Sequence, residues 1–106
     1  MKALEGVLNE ELARLLQLEK SYRREIKKLP KGSIQHKKIK GYSYPYLVFR
    51  KGFRVVYAYV GNLPKAGLEK LASEIELRRK YKKNLREVKQ NIARLRQIVH
   101  GRKRAA

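Results

Sequence analysis

Residues 29–61 read LPKGSIQHKKIKGYSYPYLVFRKGFRVVYAYVG, and this stretch decides the predicted fold. After a break at residues 30–33, the side chains alternate with the period of two that is typical of strands. The connections at residues 41–43 and 51–52 are so short that neighbouring strands must run antiparallel. The stretch therefore predicts a three-stranded β-meander over about residues 33–61. The predicted strands are residues 34–40, 44–50 and 53–60.

Helical periodicity flanks the meander on both sides. Before it, apolar residues recur every three or four positions as far as Pro30, which predicts a helix over about residues 2–28. After it, a heptad pattern predicts a helix over about residues 64–100, with Asn62 as its N-terminal cap. The heptad positions, which we call the seam, are Tyr81, Leu85, Val88, Ile92, Leu95 and Val99.

The predicted architecture is α+β in one domain, residues 1–106. It consists of a helix, the three-stranded antiparallel β-meander and a long C-terminal helix. The two helices are expected to pack either as a hairpin or in a dimeric coiled coil, and we expect a homodimer. Gly101 is expected to end the second helix and to leave a frayed basic tail at residues 101–106.

Positive charge dominates the chain and is distributed unevenly. There are 28 Lys and Arg residues against 9 acidic ones, which gives a net charge of +19, and residues 26–68 contain no carboxylate. A folded polycation repels itself unless a polyanion relieves the repulsion. We therefore expect a nucleic-acid-binding protein that makes phosphate contacts, with double-stranded DNA favoured over RNA. The competing interpretations are a coiled-coil module that binds an acidic protein and an RNA- or ribosome-associated binder.

Two sets of basic residues are the candidate nucleic-acid contacts. The first, the ribbon group, lies in and around the first strand and at what we expect to be the neighbouring hairpin tip, where it would enter a groove or follow the backbone. The second, the helix stripe, recurs at steps of three and four, interrupted only by Ala93, over about 25 Å of the second helix. The stripe could instead pair with Glu11, Glu19 and Glu25 of the first helix. The ribbon group is Lys31, Lys37, Lys38, Lys40, Arg50, Lys51 and Arg54, and the helix stripe is Arg79, Lys82, Arg86, Lys89 and Arg96.

The faces of four tyrosines depend on the register of the second hairpin. With a two-residue turn, Tyr46 faces Tyr57, Tyr44 faces Tyr59, and all four share one face of the sheet. With a three-residue loop and a bulge, the register shifts by one and separates Tyr44 and Tyr46 from the other two. Tyr44 and Tyr46 are candidates for stacking on nucleic-acid bases. The alternative, which we favour for most of these tyrosines, is that the helices cover them.

The sequence offers little for catalysis. It has no Cys or Asp, and His36 and His100 lie in separate predicted elements. Paired carboxylates, metal-ligand spacings and a Gly-rich phosphate loop are absent, so we expect no enzyme activity, no catalytic residue, no metal and no cofactor. No apolar run is long enough for a membrane span. The lack of cysteine and of a signal peptide fits a cytoplasmic protein without membrane contact.

The motif within residues 29–61 resembles that of a family of small, basic, functionally uncharacterised prokaryotic proteins. The resemblance implies the fold and no activity. A looser resemblance, in layout and charge, is to the helix-backed three-stranded DNA-binding domains of phage integrases. The residues that carry the first resemblance are Leu29-Pro30-Lys31-Gly32-Ser33, Gly41, Tyr44, Tyr46-Leu47, Arg50-Lys51-Gly52, Val55 and Tyr59-Val60-Gly61.

Overall fold

The computed structural model describes residues 2–105, and it describes the side chains of residues 3–100. Its elements confirm the predicted α+β fold, and the strand ends differ from the predicted ones by one or two residues. In chain order they are α1 (Lys2–Lys28), β1 (Ser33–Ile39), β2 (Tyr42–Lys51), β3 (Arg54–Tyr59) and α2 (Lys65–Ala105).

The start of α2 is confirmed to within one residue, whereas its predicted cap and its predicted C-terminal end are wrong. The Leu68 amide donates to the Pro64 carbonyl at 3.0 Å, so Pro64 holds the cap position and Asn62 lies two residues too early to fill it. At the other end α2 continues past Gly101. A single glycine weakens a helix by about 1 kcal/mol without preventing it, and no proline follows. The side chains of the predicted tail at residues 101–106 lie outside the described ones.

Two compact units divide the chain. The helical unit comprises Met1–Lys27 and Lys80–Ala106, and the sheet unit comprises Lys28–Arg79. The boundary between them falls within α2. The single domain expected from the sequence stays a prediction.

The helical unit is an antiparallel pair of helices built around the predicted seam. Val88, Ile92 and Leu95 of α2 are buried together with Leu15 of α1. Further along the pair, the rings of Tyr22 and Tyr81 lie 5.7 Å apart between centroids. The seam is thus covered within one chain, as the predicted hairpin packing requires. The alternative of a dimeric coiled coil stays a prediction.

The sheet unit contains the meander in the strand order β1-β2-β3, with both pairs antiparallel. Lys40 and Gly41 connect β1 to β2, and both have positive φ, of 51° and 84°, as a type I′ turn requires. Gly52 and Phe53 connect β2 to β3, with Gly52 at a φ of 63° in the first turn position, where type II′ turns place glycine.

The second hairpin adopts neither predicted register. Tyr46 pairs with Tyr59, and Tyr57 lies opposite Val48. This register differs by two residues from the predicted two-residue turn, and a shift of two leaves every side chain on the same face. Tyr44, Tyr46, Tyr57 and Tyr59 therefore share one face of the sheet, although their predicted cross-strand partners are wrong.

The first turns of α2 cover the opposite face of the sheet. Ile34 of β1 lies on that face and lines a cavity of about 200 Å³ with Ala72 and Ile75 of α2. Ile75 and Val60 are buried there, and the apolar side chains of that face are half-buried. The helix side of the sheet is therefore the core of the sheet unit, which leaves the tyrosines on the other side.

Candidate nucleic-acid interface

One face of the sheet carries a row of aromatic rings, which we call the tyrosine face. Alternate residues of a strand share a face, and Tyr46 pairs with Tyr59. Ring centroids are 6.5 Å apart for Tyr42 and Tyr44, 6.4 Å for Tyr44 and Tyr59, and 5.4 Å for Tyr46 and Tyr59. Successive rings thus touch in a continuous row across β2 and β3. The tyrosine face comprises Tyr42, Tyr44, Tyr46, Tyr57 and Tyr59, with Lys37 and Ile39 of β1.

This row of rings is open to solvent. Tyr42 is 69% exposed, and Tyr57 and Tyr59 are each 49% exposed, while Tyr44 and Tyr46 are half-buried. The expectation that the helices cover most of these tyrosines is therefore wrong for Tyr57 and Tyr59. The reason is that α2 packs on the opposite face of the sheet. Large apolar side chains that are exposed singly are common, but a contiguous exposed patch of them usually marks a contact surface.

A lysine side chain lies among the rings. Lys37 projects from the edge strand β1, and its Nζ lies 5.1 Å from the centroid of Tyr46 and 4.2 Å from that of Tyr57. Both distances are within the range of a cation–π contact. The contact fixes one positive charge in the middle of an otherwise uncharged aromatic row.

An open groove runs over part of the tyrosine face. It has a volume of about 420 Å³, and Ile39, Tyr44, Tyr46 and Tyr59 line it. Its walls are apolar apart from the phenol hydroxyl groups. A groove of this size and lining suits a flat, mostly apolar group that stacks rather than one that must be hydrogen-bonded on several sides.

The sheet does not bring the ribbon group together into one patch. Lys37 and Arg50 lie on the tyrosine face, whereas Lys38, Lys51 and Arg54 lie on the opposite face. The group is also divided between the two turns, at opposite ends of a β2 strand about 30 Å long. Because a meander places successive turns at opposite ends, Lys37, Lys38 and Lys40 lie away from the second hairpin tip. The start of β1 lies near that tip, as expected, since Ser33 pairs with Val48. The two remaining members are Lys40, in the first turn, and Lys31, whose Nζ lies 6.0 Å from the centroid of Phe49.

Two of the glutamates of α1 that were candidates to neutralise the helix stripe, Glu11 and Glu19, have partners on their own helix. Arg14 contacts Glu11 with two hydrogen bonds, of 2.7 and 3.0 Å, and Arg23 lies 3.8 Å from Glu19. The hydrogen bond from Arg14 lowers the pKa of the Glu11 carboxyl group and raises the pKa of the guanidinium. Both pairs join residues three or four positions apart.

Most of the helix stripe is exposed and unpaired. Among the side chains that the structure describes, four members of the stripe form no ion pair, and all four belong to the helical unit. Arg79 differs, because it lies in the sheet unit, 3.0 Å from Glu76, and donates to the Gly32 carbonyl at 3.3 Å. It ties α2 to the start of β1. The four unpaired members are Lys82, Arg86, Lys89 and Arg96.

Sequence reasoning left Tyr42 out of the shared face, and it left Tyr57 and Tyr59, which the two-residue turn places on that face, out of the stacking candidates. Tyr44 and Tyr46 were expected to stack on bases, but Tyr42, Tyr57 and Tyr59 are the more exposed rings. The available signal was the spacing of Tyr42, Tyr44 and Tyr46, since a period of two places all three on one face. The contact of Lys37 with two rings had no sequence signal, because it crosses β2 from one edge strand to the other.

No family model, curated protein or solved structure matches this chain. Within residues 2–105, no cluster of His, Cys, Asp or Glu could hold a metal ion. In the same part of the chain, no helix combines the length and the apolar character needed to cross a membrane. There are two candidate surfaces, the tyrosine face of the sheet unit and the helix stripe, of which four members belong to the helical unit.

Proposed function

We propose that this protein is a non-enzymatic nucleic-acid-binding protein whose affinity comes from phosphate contacts. One observation carries the proposal: Lys82, Arg86, Lys89 and Arg96 are exposed and form no ion pair among the described side chains. Like charges at this spacing repel each other and lower the stability of a helix. Binding to a polyanion would offset this repulsion. Its members follow one side of α2 over about 21 Å, long enough to run along several phosphates of duplex DNA.

A second candidate function is binding to an acidic protein. It is favoured by a cavity of about 240 Å³ in the helical unit, which is lined by Leu15, Leu95, Ile98, Asn91 and Arg94 and by the paired Arg14 and Glu11. Ile98 is about half exposed. An amphipathic acidic helix would cover the apolar side chains and pair with Arg94. This candidate and nucleic-acid binding differ in their dependence on salt and on the helix stripe.

The first test is the salt dependence of binding to duplex DNA. With about six phosphates neutralised, a plot of log K against log salt concentration should have a slope near −5. Replacing Lys82, Arg86 and Lys89 by Gln should weaken binding and reduce the magnitude of the slope by up to about 2.7. The melting temperature should hold or rise, because the substitution relieves repulsion and keeps good helix formers.

The matched control removes the same number of charges from the other helix. Lys20, Arg24 and Lys27 are exposed on α1, and their replacement by Gln lowers the net charge equally. We expect this control to lose much less affinity for DNA than the stripe variant. A wild-type slope shallower than about −2, or equal losses in the two variants, contradicts the proposal. Unchanged DNA binding in the stripe variant, together with capture of an acidic helix, would favour the second candidate.

A further inference from the structure

We infer that the tyrosine face binds the unpaired bases of a single-stranded nucleic acid. This inference rests on the proposed function and assigns a ligand class to the second surface. Three of its rings are about half exposed or more, and neighbouring rings lie 5.4 to 6.5 Å apart. An exposed ring offers a flat π face, and stacking on such rings is how sheet proteins bind single strands without regard to sequence.

Charge complementarity supports a polyanionic occupant. Residues 26–68, which include all three strands, contain no carboxylate. Lys37 holds its ammonium group between the rings of Tyr46 and Tyr57, where it can meet a backbone phosphate while bases lie on the rings. An acidic protein would satisfy Lys37 but would bring few flat groups to a face with five tyrosines. A single strand supplies both the phosphates and the flat groups.

Duplex DNA does not fit this surface. In a duplex the base planes are stacked inside the helix, and only base edges are presented in the grooves. A row of rings on an open sheet can stack only on bases that are already unpaired. The open groove lined by Ile39, Tyr44, Tyr46 and Tyr59 has room for such a base. Single-stranded DNA and single-stranded RNA share this chemistry, so the experiment compares the two.

The experiment measures the fluorescence anisotropy of labelled (dT)₁₂, (rU)₁₂ and a 12-base-pair duplex with the full chain. Substituting Ala for Tyr42 or for Tyr57 should lower the affinity for a single strand by between about fivefold and about 150-fold. Neither substitution should change the affinity for the duplex. Tyr42→Phe and Tyr57→Phe keep the ring and should stay within about twofold of wild type. A preference for (rU)₁₂ or for (dT)₁₂ identifies the natural sugar.

Phe53 provides a matched control for loss of an exposed aromatic residue. It is fully exposed at the β2–β3 turn and lies outside the tyrosine face, so Phe53→Ala should leave the affinity for single strands unchanged. Intrinsic fluorescence gives an independent readout, because the chain has seven tyrosines and no tryptophan. Since five of the seven lie on the tyrosine face, a single strand should quench most of the tyrosine emission and a duplex should not.

Each alternative outcome overturns the inference in a distinguishable way. If single strands and duplex bind equally and the Ala variants change neither affinity, the inference fails while nucleic-acid binding stands. If none of the three probes binds near 100 mM salt, the proposed function fails together with the inference. If the Ala variants lower the sedimentation coefficient and leave the affinity for single strands unchanged, a second copy of the chain occupies the tyrosine face.

Discussion

The helical unit and the sheet unit use the same aromatic residue in opposite ways. In the helical unit, Tyr22 and Tyr81 are half-buried, and their rings contact each other beside an aliphatic core. In the sheet unit, Tyr42, Tyr57 and Tyr59 are exposed. A helix pair can close its apolar seam on itself, whereas a sheet with a helix on one face leaves its other face open. An open aromatic face in so small a protein therefore indicates a surface shaped by something other than core formation.

Helix α1 and the strands also differ in how they handle positive charge. In the helical unit, Arg14 and Arg23 of α1 have carboxylate partners one turn away. The strands of the sheet unit have no carboxylate, and there Lys31 and Lys37 contact aromatic rings instead. A ring neutralises nothing, so the positive charge of the sheet stays available to an anion. The contrast predicts that substitutions in the two units affect different measurable properties.

The largest expected effect sharpens the contrast between core and surface. Ile92 is 4% exposed at the centre of the helical core, so Ile92→Ala should lower the free energy of unfolding by about 2–5 kcal/mol. Tyr57→Ala removes a larger but half-exposed side chain and should cost less than about 1 kcal/mol. Urea unfolding followed by circular dichroism at 222 nm measures both. Equal losses for the two variants would show that the tyrosine face is part of a core after all.

The substitution Ile92→Lys distinguishes a seam that is covered within one chain from a seam that is covered by a second copy of the chain. Because Leu15 and the neighbouring leucines of α1 cover Ile92, Ile92→Lys should unfold the helical unit. In the homodimer expected from the sequence, the same substitution could instead yield a folded monomer. Sedimentation equilibrium together with circular dichroism distinguishes the two results. A folded monomeric variant would assign the seam to an interface between copies.

The next effect compares glycines of the two units. Gly32, before β1, has a φ of 112°, and a Cβ there would collide with the carbonyl oxygen of Val48, so Gly32→Ala should cost about 1–3 kcal/mol. Gly6 lies within α1 with open space around it, so Gly6→Ala should stabilise the protein by about 0.5–1 kcal/mol. Thermal and urea unfolding of both variants measure the difference. A neutral Gly32→Ala would mean that the start of β1 can move away from β2.

Much of the fold could be predicted because periodicity is a local property. The period of two defined the strands and the heptad defined the seam, whose central members Val88, Ile92 and Leu95 are buried. The turn at Gly52 was harder, since a glycine can hold either central position of a primed turn, and Phe53 beside it is no turn signal. The separation of the two turns, by contrast, follows from topology alone, because a meander places successive turns at opposite ends. The expectation of one ribbon group did not take this into account.

The exposure of the tyrosine face could not be predicted from the alternation in β2. Its two faces carry large side chains, the tyrosines on one and residues such as Leu47 and Phe49 on the other, so the pattern does not say which face a helix covers. The placement of α2 decides it, because Ile75 of α2 and Ile34 of β1 line one cavity although they lie far apart in sequence. Local ion pairs such as Arg14–Glu11 could have been predicted from their spacing.

The smallest expected effect tests the local ion pairs of the helical unit through pH. The hydrogen bond from Arg14 holds the pKa of Glu11 below its ordinary value of 4.5, so the ionised carboxylate is favoured in the folded state. A lowered carboxyl pKa gives stability that is present above the unfolded value and is lost as the pH falls through the folded value. The substitution Arg14→Gln should therefore lower the melting temperature, relative to wild type, by more at pH 6 than at pH 3.

A charge-matched control is needed, because removing any cation from a chain of net charge +19 relieves repulsion. Lys20→Gln removes one exposed positive charge from α1 and breaks no ion pair among the described residues. The difference in melting temperature between Arg14→Gln and Lys20→Gln isolates the pair, and it should shrink towards zero as Glu11 becomes protonated below pH 4.5. If this difference persists at pH 3, Arg14 stabilises α1 by packing rather than through the Glu11 carboxylate. In that case the difference in charge between α1 and the strands would rest on Arg23 and Glu19, and the exposed tyrosines would carry the rest of the comparison.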